Sequence, residues 1–522
     1  MTPFDELVDD FLDVHWAFAP IDASFAGEIA YDGSLPPCDL GAPARHAGEL
    51  RELMRRLDAV VVPADPGARL DARLMRAHAA HVLDQLAGRS RFHNPAWYTG
   101  EIAFGLIALL LPRAAPRDPD AFARRVALIP DLLADAAMHL RGTRVPADWT
   151  VRARKECAAI ARLLGRIEGV AGTSAAVAAL RRFEAAIAER PDADPAAGEA
   201  RMTRLIRDVH GLDATAATLE RDAAAAFAEA EAALAEAAER HDPAHTWREQ
   251  IARLGELGPA PDGALPSYRT WHDRALRDAE PLLTPASDYA LEFALLPEWA
   301  RDVAGDLYFL FYRSPAARRP GNGSIYWVSP PEGDDDAVRR AHNTAAVKLV
   351  HAVHHGSIGH HTQNARARRA ASRLSRIAGT DCASGIMMLA AGTMVEGWAC
   401  YAEDLLEEVP EFYTPAERVM LRYFEFRNIA CCLADLRLHL GVWTLEQMRA
   451  FYRDEVAFAP ARIWNETTRN AMFPTSRLMY WTGTQQIKTL RARSRLPARV
   501  FHDRLLSFGS VPVAWIDQEV PA

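Results

Sequence analysis

Apolar residues recur at the spacing of an α-helix along most of this 522-residue chain. The pattern is clearest in five stretches: 4–18, 45–86, 119–140, 151–190 and 214–240. The last of these is also rich in Ala and Glu, which adds intrinsic helix propensity to the periodicity. Turn-forming residues cluster in a few breaks instead of recurring every few positions, as they would in an all-β protein. The sequence therefore predicts an all-α fold.

One short segment departs from the helical pattern. Ser324 to Val328 combine β-branched and aromatic residues and predict a strand, so we expect one short β hairpin or small sheet in the helical protein. Aromatic residues, His and Met become frequent after about Ala337. We predict a single large helical unit over residues 1–522, with an approximate scaffold lobe at 1–200 that forms the wall of a deep cleft. A second lobe at 201–522 carries the functional residues.

Charge and targeting signals restrict the partners of the chain. A net charge of -9 argues against nucleic acid and anionic membranes, whose binding depends on Lys and Arg. The longest apolar run, Ile102 to Leu111, is about half of the roughly 20 residues that a membrane span needs. The first residues do not resemble a secretory signal, and the six cysteines form no C-x-x-C pair. We expect a cytoplasmic protein with a small-molecule or peptide-like substrate, and nothing in the sequence defines its oligomeric state.

Five of the eleven residues from His351 to His361 are histidines, which predicts a metal site. His351 and His355 are four residues apart and share one face of an ideal helix. His354 and His360 are six apart and lie on different faces. The glycines between them would allow a bulge of about two residues that brings His354 and His360 into register. His361 is a further candidate ligand beside His360.

A second helical segment, at 394–408, offers acidic ligands. Glu396 and Glu403 are seven residues apart and share a face of this helix. One acid can bind the metal while the other orients a histidine. This ligand set favours a divalent metal such as zinc, with iron and copper as alternatives.

These segments resemble a bacterial family known as domain of unknown function 885, which is similar to helical zinc metallopeptidases of the carboxypeptidase Taq type. The family pattern H-E-A-x-P-G-H-H-x-Q aligns with residues 354–363, and E-G-W-A-x-Y-A-E aligns with residues 396–403. Further motifs follow in the same order at 326–328, 435–439, 480–483 and 501–503. The resemblance implies a peptidase-like fold in which His354, His360 and Glu396 bind zinc. It also implies that Tyr480 and His439 stabilise an oxyanion.

The chain departs from the family pattern at the position of the general base, where His355 replaces Glu. In one hypothesis His355 takes over as the base of a hydrolase that acts on amide or peptide-like substrates, with Glu403 positioning a histidine. In a second, His355 or His351 joins the metal ligands of a non-hydrolytic enzyme of specialised metabolism that uses iron, copper or zinc. In a third, the chain is a catalytically inactive binding protein.

Overall fold

The computed structural model describes residues 2–88, 91–112, 118–307, 311–318, 323–382 and 385–516. Contacts within the chain divide it into two compact units. The first contains Met1–Asp194, Pro297–Asn322 and Ala371–Leu389, and the second contains Pro195–Leu296, Gly323–Ala370 and Ala390–Ala522. Helices account for most described residues of both units, so the predicted all-α class is confirmed.

The helices of the first unit follow the apolar periodicity of the sequence. Two of the predicted stretches are each divided into two helices, because Pro63 and Pro66 interrupt the first and Gly169 and Gly172, both with positive φ, interrupt the second. The α-helices of this unit are Pro3–Phe18, Pro20–Ala26, Ala42–Ala59, Pro66–Ala87, Pro95–Leu110, Ala121–His139, Ala147–Arg166, Thr173–Ile187 and Glu298–Arg301. Short strands lie at Tyr312–Arg313, Asp381–Cys382 and Gly385–Ile386.

The most apolar helix of the first unit, Pro95–Leu110, is buried on nearly all sides. Ile102, Leu106 and Ile107 have no exposed surface. A short helix that is apolar all round belongs in a protein core, which explains the apolar run seen in the sequence. In the described parts of the chain, no helix combines the length and the apolarity that a membrane crossing requires.

The second unit carries the longest helices and all the predicted site residues. Its core includes a cluster in which Met202, Ile206 and Leu219 pack with Leu433 and Leu436. Its α-helices are Glu199–Arg204, Ala216–His241, Trp247–Gly255, Ala264–Asp278, Asp335–Ala341, Thr344–Ala346, Thr362–Ala367, Gly392–Leu405, Pro415–His439, Leu445–Asp454, Pro460–Met472, Leu478–Arg493 and Ala498–Ser507. Three π-helical segments lie at Leu205–Val209, Val347–His355 and Ser357–His361.

The predicted strand is confirmed as Gly323–Val328. It pairs in parallel with Ala290–Leu295, in a register that places Tyr326 opposite Phe293. A parallel pair cannot be closed by a tight turn, so these two strands form part of a small sheet and not a hairpin.

Two glycines allow a very close approach of two helices in the second unit. We call Gly392–Leu405 the Glu396 helix and Leu478–Arg493 the Tyr480 helix. A Cβ added at Gly397 would lie 2.5 Å from the carbonyl carbon of Gly483, and one added at Gly483 would collide with the carbonyl oxygen of Thr393. Only glycine fits at either position, so these residues set the distance between the two helices.

Candidate metal centre

The histidine segment is not a regular α-helix. Two π-helical runs, Val347–His355 and Ser357–His361, meet at Gly356, whose ψ is -150°. Gly359 also has non-helical dihedral angles, and a Cβ there would collide with the carbonyl oxygen of His354. The extra residues in these turns bring His354 and His360 together, with ring centroids 4.9 Å apart. The bulge that the spacing of the two histidines requires is therefore present.

Glu396 approaches both histidines with one carboxylate oxygen. Its Oε2 lies 3.7 Å from Nε2 of His354 and 3.7 Å from Nε2 of His360. The three side chains are between 10 % and 14 % exposed, so the cluster is enclosed but not sealed. Two ligand atoms that share one zinc ion in tetrahedral geometry are about 3.4 Å apart. Small side-chain rotations would therefore bring each histidine nitrogen and the Glu396 oxygen to the separation that two ligands of one ion have.

Hydrogen bonds fix which nitrogen each histidine offers. Nδ1 of His354 lies 2.7 Å from Oε1 of Glu403, and Nδ1 of His360 lies 3.1 Å from Oε1 of Gln363. Gln363 in turn donates to the carbonyl oxygen of Met394, which lies on the Glu396 helix. When Nδ1 donates in this way, the lone pair of Nε2 is left for a metal ion. The donor set and its supporting hydrogen bonds thus fit a divalent cation.

The electrostatics of the cluster favour a positive charge at its centre. Burial opposes ionisation of Glu396, but the hydrogen bond with His354 and the nearby histidine charges lower its pKa to about 2. Burial likewise disfavours the charged form of His354, but its hydrogen bonds with Cys400, Glu396 and Glu403 raise its pKa well above the usual value. The negative charge that Glu396 keeps in this enclosed site would be balanced by a bound cation.

His355 lies beside the same cluster. Its ligand atom is within 4.8 Å of those of His354 and His360, so these three histidines form a possible ligand group by themselves. Burial, followed by the charges of neighbouring histidines, lowers the pKa of His355 well below its usual value. Its Nδ1 is buried and has no hydrogen-bond partner in the described parts of the chain. The ring is therefore neutral, and it lies next to the rings of His354 and His360.

Two other sequence-predicted residues are not brought to this cluster. The ring nitrogens of His361 and His439 are instead turned to other partners. Nε2 of His361 lies 2.6 Å from the carbonyl oxygen of Tyr289, and its Nδ1 lies 3.3 Å from the hydroxyl of Ser324. Nε2 of His439 donates to the carbonyl oxygen of Asn470. Both rings are fully buried, and their hydrogen bonds connect segments of the core.

Tyr480 is close enough to Glu396 for the carboxylate charge to act on it. Burial, and then the negative charge of Glu396, raise the pKa of Tyr480 to about 12. Its hydroxyl therefore keeps its proton at neutral pH and can donate a hydrogen bond. The guanidinium of Arg477 lies 5.3 Å from the centre of its ring.

Sequence reasoning missed Cys400 as part of this environment. The thiol forms a second possible ligand group with His354 and Glu403, and Asn428 donates to its sulfur at 3.4 Å. Cys400 lies four residues after Glu396, one helical turn along the same face. That spacing is visible in the sequence and could have identified Cys400 as a neighbour of the metal centre.

We expect Glu403→Gln to weaken metal binding by about ten- to a hundredfold while the fold is kept, because the amide no longer offers His354 a charged acceptor. Competition with a chromophoric chelator would measure the change. Glu408→Gln, at an exposed position just after the same helix, is the matched control. Equal metal affinity in both variants would contradict a role for Glu403 in orienting His354.

Comparison with known proteins gives a family and a fold. The family model described as "Bacterial protein of unknown function (DUF885)" matches residues 20–520. The solved structure of a candidate lipoprotein of unknown function from Shewanella oneidensis is 17% identical, with a TM-score of 0.79 over 99% of this chain and 100% of that chain. A candidate lipoprotein from Colwellia psychrerythraea is 16% identical, with a TM-score of 0.76 over 99% and 98%. At these identities the likeness shows the fold alone.

A search of curated proteins finds no significant match. The family match covers nearly the whole chain and includes every residue of the candidate metal centre. The chain belongs to the bacterial protein family of unknown function DUF885.

Proposed function

We propose that this protein is a metal-dependent enzyme that hydrolyses an amide or peptide-like small substrate. The observation that carries the proposal is the approach of His354 and His360 to one oxygen of Glu396. Two imidazoles and one carboxylate are a ligand set of catalytic zinc, and three protein ligands leave a position open. A divalent ion held there would polarise the substrate carbonyl and lower the pKa of water.

The surrounding side chains support this reaction class. Tyr480 keeps its proton and can donate to the oxygen on which negative charge develops. His355 is neutral, so it can accept a proton, and Glu403 positions His354. The likeness of residues 354–363 and 396–403 to helical zinc metallopeptidases of the carboxypeptidase Taq type favours the same chemistry.

The role of His355 as a base can be tested through the pH dependence of amide hydrolysis. A base with a lowered pKa is unprotonated at neutral pH, and its activity is lost only as the pH falls through that lowered value. We expect the acid limb of kcat/KM to lie below pH 6.5, the usual pKa of histidine. His355→Gln should lower kcat by about a hundred- to ten-thousandfold and remove this limb.

His351→Gln is the control for this variant, because His351 lies on the same π-helical segment and its Nδ1 is hydrogen-bonded to Tyr326. Hydrolysis that survives in His355→Gln with an unchanged profile would exclude His355 as the base.

A second candidate function rests on the proximity of the three histidines. If His355 is a ligand together with His354, His360 and Glu396, the centre suits iron or copper and a non-hydrolytic reaction. The absorption spectrum of the protein as isolated separates the candidates. A visible band from iron or copper that is lost in His355→Gln favours this second function, and stoichiometric zinc retained in that variant favours hydrolysis.

A further inference from the structure

The two ring nitrogens of His354 face two different sets of donor atoms. Nε2 lies 3.7 Å from Oε2 of Glu396, whereas Nδ1 lies 2.7 Å from Oε1 of Glu403. Cys400 belongs to the second set, because ligand atoms of His354, Cys400 and Glu403 all lie within 4.8 Å of one another. We call His354, Cys400 and Glu403 the cysteine cluster. It shares one ring with the candidate metal centre and contributes a thiol that the proposed reaction does not use.

Two neighbouring segments build the cysteine cluster. Cys400 and Glu403 are three residues apart on the Glu396 helix, so their side chains are neighbours on its surface. His354 comes from the π-helical segment Val347–His355. The three residues are 3 % to 8 % exposed, so the cluster is enclosed by protein. Asn428 donates a hydrogen bond to the sulfur at 3.4 Å, and such a donor stabilises the negative charge of a thiolate.

The donor types of the cysteine cluster match those that bind zinc. Thiolate, imidazole and carboxylate are all zinc ligands, and a thiolate disfavours magnesium and calcium. Around one tetrahedral zinc ion, two nitrogen or oxygen ligands are about 3.4 Å apart, and a sulfur and a nitrogen ligand are about 3.6 Å apart. The separations in the cysteine cluster differ from these values by about 1 Å. Small side-chain movements would therefore allow the three residues to share one ion.

We propose that the cysteine cluster binds a second divalent cation of the zinc type, and that the ring of His354 bridges the two ions. The inference goes beyond the proposed hydrolysis and rests only on the candidate metal centre. Binding releases two protons to solvent, one from the thiol of Cys400 and one from Nδ1 of His354. The thiolate, the ring anion and the carboxylates of Glu396 and Glu403 then carry four negative charges, which balance two divalent ions.

The second cation binds more weakly than the first. It has to replace the hydrogen bond between Nδ1 of His354 and Glu403, and it has to displace two protons. The positive charge of Arg427 also acts on Cys400 and Glu403, which disfavours a further cation. Protein purified without added metal therefore contains one equivalent, and the second is bound only when metal is in excess.

Titration of the full-length, metal-free protein with cobalt(II) tests the proposal. Cobalt(II) occupies zinc sites, and its bond to a thiolate gives a charge-transfer absorption band in the near ultraviolet. We expect two equivalents to bind, with the band appearing as the second is taken up. Cys400→Ser should bind one equivalent and show no band. Cys431→Ser replaces a cysteine that is equally buried, at 6 % exposure, and as the matched control should keep both equivalents and the band.

His360→Gln separates the two ions, because His360 belongs only to the first. This variant should lose the first equivalent and keep the band. Binding of a single equivalent by the wild type, or a band that survives in Cys400→Ser, would overturn the proposal. A band that is lost in His360→Gln would assign the thiolate to the first ion and overturn it as well. Failure of amide hydrolysis in a protein that binds both ions would refute the proposed function and leave the second site standing.

Discussion

Combined replacement of His354 and Glu396 by Ala should abolish metal binding. The wild type, purified without chelators, is expected to contain close to one equivalent of zinc, whereas the double variant should contain almost none. Removing a residue that only orients a ligand costs about ten- to a hundredfold in affinity, and removing two ligands costs more. Elemental analysis of freshly purified protein measures the metal content directly.

His361→Asn provides the informative comparison for this experiment. His361 lies next to His360 in the sequence, but its two ring nitrogens face the Tyr289 carbonyl and the Ser324 hydroxyl. We expect this variant to be less stable and to keep its metal. Metal that disappears in His361→Asn and persists in the double variant would show that the ligands are assigned wrongly. Absence of metal from the wild type would refute the centre altogether.

Replacement of Lys348 by Met should lower the free energy of unfolding by about 3–5 kcal/mol. Lys348 lies on the histidine segment and is 1 % exposed. Its Nζ is 2.7 Å from Oε2 of Glu417, donates to the carbonyl oxygen of Phe412, and lies 4.3 Å from the centre of the Trp271 ring. Without the ammonium, the buried carboxylate of Glu417 has lost its counter-ion.

Urea unfolding followed by tryptophan fluorescence would measure this loss, because Trp271 contacts the ammonium directly. Lys155→Met, at an exposed position of the helix Ala147–Arg166, is the control and should change stability by less than about 0.5 kcal/mol. A second replacement, Glu417→Leu, should restore part of the stability lost in Lys348→Met, since it removes the unpaired charge. Similar stabilities for Lys348→Met and Lys155→Met would mean that the ion pair adds little.

Local patterns in the sequence were sufficient for the predicted helical stretches, two of which are each divided into two helices, and for the strand at Gly323–Val328, because periodicity and propensity act over neighbouring residues. They were not sufficient for the division into units. Pro297–Asn322 and Ala371–Leu389 join the first unit although they are far from its other residues in the sequence. Such contacts depend on the packing of distant segments, which no local pattern records.

Local patterns in the sequence also predicted the candidate centre only in part. Histidine spacing identified the segment and required a bulge, and the two glycines indicated where it could form. Spacing could not separate His360 from His361, because adjacent residues differ only in the direction of their side chains once the helix is irregular.

The contact between Gly397 and Gly483 has a consequence for how the centre can respond to a substrate. The Glu396 helix and the Tyr480 helix touch backbone to backbone, so neither can slide or rotate without collision. We therefore expect Glu396 and Tyr480 to behave as one rigid wall whose spacing would stay constant during the proposed reaction. In the proposed enzyme, adjustment to the size of a substrate would come from the histidine segment, whose helical path Gly356 and Gly359 interrupt. We expect substrate range to evolve through changes in the histidine segment, while the rigid wall would keep the geometry of the proposed reaction.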